Sequence, residues 1–191
     1  MRRAERRAQS EERVLRASAS LFRRQGSSGT GLKELSKASA TPLGSIYHFF
    51  PGGKEEITAA AVRHSGERYK ALIDIAFRNG VVSGVEAFFR YAADALEKSD
   101  FGDGCPIASV AVDAAATNEP IRLACAEVFA GWRKRLTIYL AKEGWDAKKA
   151  ERFSWFALAA LEGAIILAKA EHSTKPLQAS AAYVAGCASA L

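Results

Sequence analysis

Along nearly the whole chain the apolar residues recur every three to four positions, and nowhere do they alternate for the length of a strand. That periodicity confines the chain to an all-α fold. In SEERVLRASASLFRRQG, Val14, Leu15, Ala19 and Phe22 share one face, with Leu21 beside them. Ser10 reads as the N-cap of this helix and Gly26 as the residue that ends it. A short helix over 31–38 follows, capped by Thr30, with Leu32, Leu35 and Ala38 inward. Thr41-Pro42 opens another, Thr as cap and Pro at the first helical position. Pro51-Gly52-Gly53 stops it near Phe50, because that tripeptide cannot continue a helix. A long helix then starts at Lys54 and ends at Asn79-Gly80, with Ile57, Ala61, Tyr69, Leu72, Ile73 and Ala76 inward. Further helices are expected over 83–98, from Pro106 to about 116, from an Asn118 cap to Lys142, over 147–171 behind an Asp146 cap, and from Thr174 or Lys175 onward. The total is about nine.

At 191 residues the chain can bury a proper core. Its charge is unevenly placed: residues 1–80 carry 15 Lys/Arg against 8 Asp/Glu, and residues 81–191 carry 12 against 13. A basic end on a near-neutral body points to an anionic partner at the N-terminal part. Cys105, Cys125 and Cys187 are far apart and odd in number, so neither a zinc site nor a disulfide framework is expected. No metal and no cofactor is expected. MRRAERRAQSEERV is basic but leads into no apolar stretch, which argues against a signal peptide. FSWFALAALEGAIILAKA is the most apolar run, with Glu162 in its middle. It reads as a buried or interface helix, too short and too interrupted to span a membrane. A cytoplasmic protein is expected.

The segment KELSKASATPLGSIYHFFPGGKEEI, residues 33–57, packs Tyr47, His48 and Lys54 beside two sharp breaks. Catalysis would have to use His48, His64 or His172. His48 has no nucleophile motif and no local Asp partner. PGGKEE lacks both the spacing and the preceding strand of a phosphate-cradling loop. No catalytic residue is expected. Two short helices joined by a tight turn inside a basic three-helix unit are, in contrast, the helix-turn-helix arrangement. Gly44 then lets the backbone approach a phosphate or base, and Ser45 offers a small donor and acceptor. Tyr47 and His48 hold phosphates from an exposed face, and Lys54 meets an anion at a helix start. Ile46, Phe49 and Phe50 lock the short helix to its neighbours.

The run TGLKELSKASATPLGSIYHFFPGGKEEI resembles the DNA-binding domain of TetR-type transcriptional regulators: a helix, a tight turn, the small pair Gly44-Ser45 before Ile46-Tyr47, then Phe50 and a Lys54-Glu55 helix start. VLRASASLFRRQG is similar to that family's first helix. SIYHFFPGGKEE, together with GCPIASVAVDAA at 104–115, resembles its LmrA/YxaF-like branch. The resemblance implies a homodimer reading a palindromic operator in double-stranded DNA, and a small-molecule effector in the C-terminal domain that lowers DNA affinity. It carries phosphate and base contacts over to Thr30, Lys33, Thr41, Pro42, Gly44, Ser45, Tyr47, His48 and Lys54. Leu43 stands where many relatives have Lys, so one phosphate contact is expected to be either missing or replaced by an apolar contact to a thymine methyl. Ser27 stands where an aromatic is usual, so looser packing is expected there.

The reading is therefore a three-helix DNA-binding domain over 1–53 and a helical effector-binding and dimerisation domain over 54–191. Phe88, Phe89, Tyr91, Trp132, Trp155 and Phe156 are expected to line the effector pocket, with Asp113 supplied by the 105–113 helix. Small residues that allow close helix approach place the dimer interface at Ala157, Ala160, Gly163, Ala164, Ala181 and Ala185. The function expected is a repressor released by its effector. The rival is an all-helical small-molecule binding protein without specific DNA binding.

Overall fold

The computed structural model describes residues 3–189. Met1, Arg2, Ala190 and Leu191, the ends of the expected domains, lie outside the described residues. Nine α-helices and no strand are present among them: α1 (Arg3–Gln25), α2 (Leu32–Ser39), α3 (Leu43–Phe49), α4 (Gly53–Ala76), α5 (Val81–Lys98), α6 (Pro106–Ala114), α7 (Glu119–Lys142), α8 (Ala147–Glu171) and α9 (Lys175–Ser189). A 3-10 turn, Phe77–Asn79, separates α4 from α5.

The chain forms two compact units, one of residues 1–67 and 106–128, the other of 68–105 and 129–191. Neither breaks at 53/54. The reason lies in the first unit's core, where Ile57 of α4 is buried with Val14, Leu35, Ile46 and Phe50. In the same unit α6 packs along α1. Gly66 lets α4 and α7 come close, since a Cβ there would lie 2.5 Å from the Val128 side chain.

Several helix ends differ from the sequence reading. Ser10 is no cap: α1 starts earlier, and the Ser10 hydroxyl donates to the Arg6 carbonyl at 2.9 Å inside the helix. A run rich in Arg, Glu and Ala simply propagates the helix past a serine. Thr30 and Thr41 are no caps either. The N-cap positions belong to Gly31 and Pro42, neither with a side-chain cap bond. Asn118 and Asp146 do cap: Asn118 Oδ1 accepts from the Ile121 N–H, and Asp146 Oδ1 from Lys148 and Lys149.

In the second unit α5 packs on α9 and α8, and α8 on α9. Gly84 permits α5 to sit directly on Phe77, where a Cβ would meet the ring at 2.4 Å. Asp74 anchors α4 to α7, accepting from Arg135 and, at 3.0 Å, from the Tyr139 hydroxyl. The Arg135 bond holds its carboxyl below the usual value. α8 spans the 25 residues expected of it, 147–171, and by length and composition alone it could cross a membrane. Its buried Ala157, Leu161, Ala164 and Ala168 give it the face of a core helix instead.

Candidate nucleic-acid interface and effector cavity

The turn between α2 and α3 is tight because Ala40 takes the left-handed conformation, φ 48° and ψ 40°. Ala40 and Thr41 donate backbone N–H groups to the Lys37 and Ser36 carbonyls, and Ser36 Oγ donates to the Thr41 carbonyl. α3 is then held by one deeply buried residue, Ile46, with Phe50 closing its end. Phe49 packs, half-buried, against the same core, and the rest of α3 faces outward. Pro42, Gly44, Tyr47 and His48 are exposed, and Leu43 and Ser45 half-buried. Tyr47 is 50% exposed, a large fraction for an aromatic side chain with a core beside it. Gly44 has open space where a Cβ would stand, so packing within the chain does not require glycine there. Lys33 on α2 is also exposed.

Thr30 and Thr41 do not share this face. Both side chains are buried, and each hydroxyl proton is committed to a carbonyl, Thr30 to Gly26 at 2.8 Å and Thr41 to Ser39 at 3.2 Å. A hydroxyl so committed has only lone pairs left and cannot donate to a phosphate. These threonines hold the turns behind the face. Lys54 lies in the first turn of α4, where Glu56 Oε2 accepts the Gly52 N–H at 2.7 Å. Its Nζ donates to the Ser28 carbonyl at 3.2 Å, which leaves two ammonium protons for an anion.

Asp113 is placed by the structure at the α1–α2 turn, not at the effector cavity. Its Oδ2 accepts from the Ser27 hydroxyl at 2.8 Å and from the Ser28 N–H at 2.6 Å. Desolvation pushes its carboxyl up, but the Ser28 and Ser27 hydrogen bonds together prevail and hold it below the usual carboxylate value. Gly26 makes room with a φ of +70°; a Cβ there would come within 3.0 Å of Oδ2. Ser27 is therefore not a gap left by a missing aromatic. It is buried and serves as a hydrogen-bond donor to α6. Sequence reasoning missed this pairing because its partners stand 86 positions apart.

In the second unit an apolar cavity of about 50 Å³ lies among α4, α5, α7 and α8. Phe88, Phe89 and Trp132 line it, as does Arg133, which the sequence reading did not select. Tyr91, Trp155 and Phe156 are absent from its lining and stand exposed on the surface. The expected dimer residues divide in the same way. Ala157, Ala164 and Ala185 are buried within the single chain, because they share the faces that α8 and α9 turn to each other and to α5. Ala160 and Ala181 are half-buried, and Gly163 is exposed. The outer faces carry Trp155, Phe156, Ile166, Leu167 and Tyr183, all exposed, with the Phe156 and Tyr183 rings 6.0 Å apart across the two helices.

Comparison with known proteins agrees with both halves of this layout. The family profile described as bacterial regulatory proteins, tetR family, matches residues 14–61. That described as transcriptional regulator LmrA/YxaF-like, C-terminal domain, matches residues 81–183. The chain is 31% identical to the HTH-type transcriptional regulator YxaF of Bacillus subtilis over 90% of this chain and 91% of that one. It is 31% identical to LmrA of the same organism, over 88% and 90%. Among solved structures, a TetR regulatory protein from Rhodobacter sphaeroides superposes with a TM-score of 0.82 at 23% identity, covering 92% of this chain and 97% of that one.

Proposed function

This chain belongs to the TetR family of bacterial transcriptional regulators, with an LmrA/YxaF-like C-terminal domain, and we propose that it is a cytoplasmic homodimeric repressor released from a palindromic operator by a small-molecule effector. It is a DNA-binding regulator, so the rival reading of a helical binder without DNA function is set aside. The observation that carries the proposal is the outward face of α3. Ile46, Phe49 and Phe50 hold the helix to the core, and Gly44, Tyr47 and His48 are left exposed beside Lys54. Residues 1–53 read the operator, with Lys33, Pro42, Leu43, Gly44, Ser45, Tyr47, His48 and Lys54 at the DNA. Residues 54–191 bind the effector and the second copy. The effector occupies the cavity walled by Phe88, Phe89 and Trp132. The outer faces of α8 and α9 meet their equivalents in a four-helix bundle.

α4 begins in the first unit and ends in the second, so an effector that favours a different α4 position alters the separation of the two α3 helices. The test is a mobility-shift titration on operator fragments selected from genomic DNA. Tyr47→Ala weakens binding while the dimer persists. Lys54→Ala reduces the slope of log K against log salt by about one unit. Wild-type affinity and slope in both variants would remove these residues from the DNA face.

A further inference from the structure

α1 runs on past the core it packs against. Val14, Ala17 and Leu21 lie along one stripe of this helix and pack with Leu35 of α2 and Ile46 of α3. From Glu5 to Arg13, in contrast, no residue is buried. Such a segment gains nothing from core packing. Its charges are nonetheless sorted. Arg6, Arg7, Ser10 and Arg13 continue the stripe of Val14, Ala17 and Leu21 at the spacing of three and four, while Glu5, Glu12 and Arg16 stand on the opposite side of the helix.

Two contacts fix where the arginine stripe points. Arg13 Nε donates to the Ser39 carbonyl at 3.3 Å, at the end of α2 and beside the tight turn. The Arg7 guanidinium lies 5.8 Å from the centroid of the Phe49 ring, in the last residue of α3 and next to the exposed His48. At roughly 1.5 Å per residue, Arg6 stands about 12 Å beyond Val14 along the helix axis. Arg7 is paired with Glu11 at 2.7 Å. Arg6 and Arg13 are both exposed, and neither has an ion pair among the described residues. Arg13 meets only neutral oxygens, the Ser39 carbonyl and Ser10 Oγ, so its charge is uncompensated and part of its guanidinium fork is open to an anion.

We propose that this stripe of α1 is a second DNA contact. Arg6 and Arg13 take phosphates of the backbone flanking the bases that α3 reads, and Arg7, set over Phe49, holds the arm against α3. Arginines beside a helix that enters a groove meet the backbone at its edge, where they add affinity and register but no sequence information. The inference rests on the DNA reading of α3 given above.

The experiment is a fluorescence-anisotropy titration of the full-length protein, at several salt concentrations, on a selected operator fragment and on a fragment of unrelated sequence. Arg6→Gln lowers the slope of log K against log salt by about one unit, and Arg6→Gln combined with Arg13→Gln lowers it by about two. Both variants weaken the two fragments by a similar factor, because a phosphate contact is blind to sequence. Arg16→Gln removes the same charge from the far side of α1 and leaves the slope unchanged. Arg13→Lys keeps the slope, which separates the charge from the bond to Ser39, and melting curves show every variant folded. A double variant with the wild-type slope, or an Arg16→Gln slope that falls as far as that of Arg6→Gln, overturns the arm. Neither result touches α3, which Tyr47→Ala tests separately. Equal affinity of the wild type for the two fragments would sink the operator reading and the arm with it.

Discussion

Gly44 and Asp113 show two opposite relations between a side chain and local stability. Gly44 sits inside α3 with open space around it. Glycine in a helix interior costs about 0.5–1 kcal/mol relative to alanine, a cost that the close DNA approach proposed for α3 would account for. Gly44→Ala therefore raises the melting temperature of the free protein and lowers operator affinity. A melting curve and a mobility shift on one preparation check both signs, and tighter DNA binding would refute the assignment. Asp113 is the second case. Asp113→Asn removes the charge from the acceptor of the Ser27 and Ser28 donors and costs about 1 kcal/mol, at the low end for charged hydrogen bonds because the carboxylate is exposed. Its folded pKa is depressed, so its contribution is present above the unfolded value and lost as pH falls through the folded one. Urea melts in acid then show a shallower pH dependence in the variant than in the wild type.

At the scale of the element, α8 carries the most informative anomaly. Glu162 lies midway along an otherwise apolar helix, and its Oε2 is buried without a hydrogen-bond partner. Burial pushes its carboxyl from 4.5 up to about 7, only partly countered by a hydrogen bond from Cys105. The native state thus binds a proton that the unfolded chain releases, and stability falls as pH rises from about 4.5 to about 7. Glu162→Gln removes this fall and stabilises the protein at pH 8 by roughly 3 kcal/mol, the differential implied by a shift of this size. Chemical denaturation at pH 5 and pH 8 measures it; an equal gain at both would show that ionisation is not the cause.

For the molecule as a whole, the dimer proposed above rests on the exposed faces of α8 and α9. Ile166 and Leu167 are 60% and 54% exposed in the single chain, beside exposed Trp155 and Tyr183. A contiguous exposed apolar surface of this kind is characteristic of interaction sites. Ile166→Asp yields a folded monomer by light scattering with an unchanged circular-dichroism spectrum, because the side chain leaves the chain's own core intact. Ala164→Asp, on the buried face of the same helix, unfolds the protein instead. A dimeric Ile166→Asp protein would place the interface elsewhere.

The sequence by itself determined the all-α class, the helix count, the two caps at Asn118 and Asp146, and the short helix α3 between its two breaks. These are local properties: periodicity, capping chemistry and the behaviour of Pro and Gly act over a few residues. Tertiary structure alone decided which surfaces those helices present. The small residues of α8 and α9 signalled close packing, but only the fold showed that Ala157, Ala164 and Ala185 pack inside one chain while the aromatics beside them face out. Asp113 reached the α1–α2 turn and Arg133 the cavity wall for the same reason. Which face of a helix is covered depends on partners distant in the chain, and helical periodicity carries no information about them.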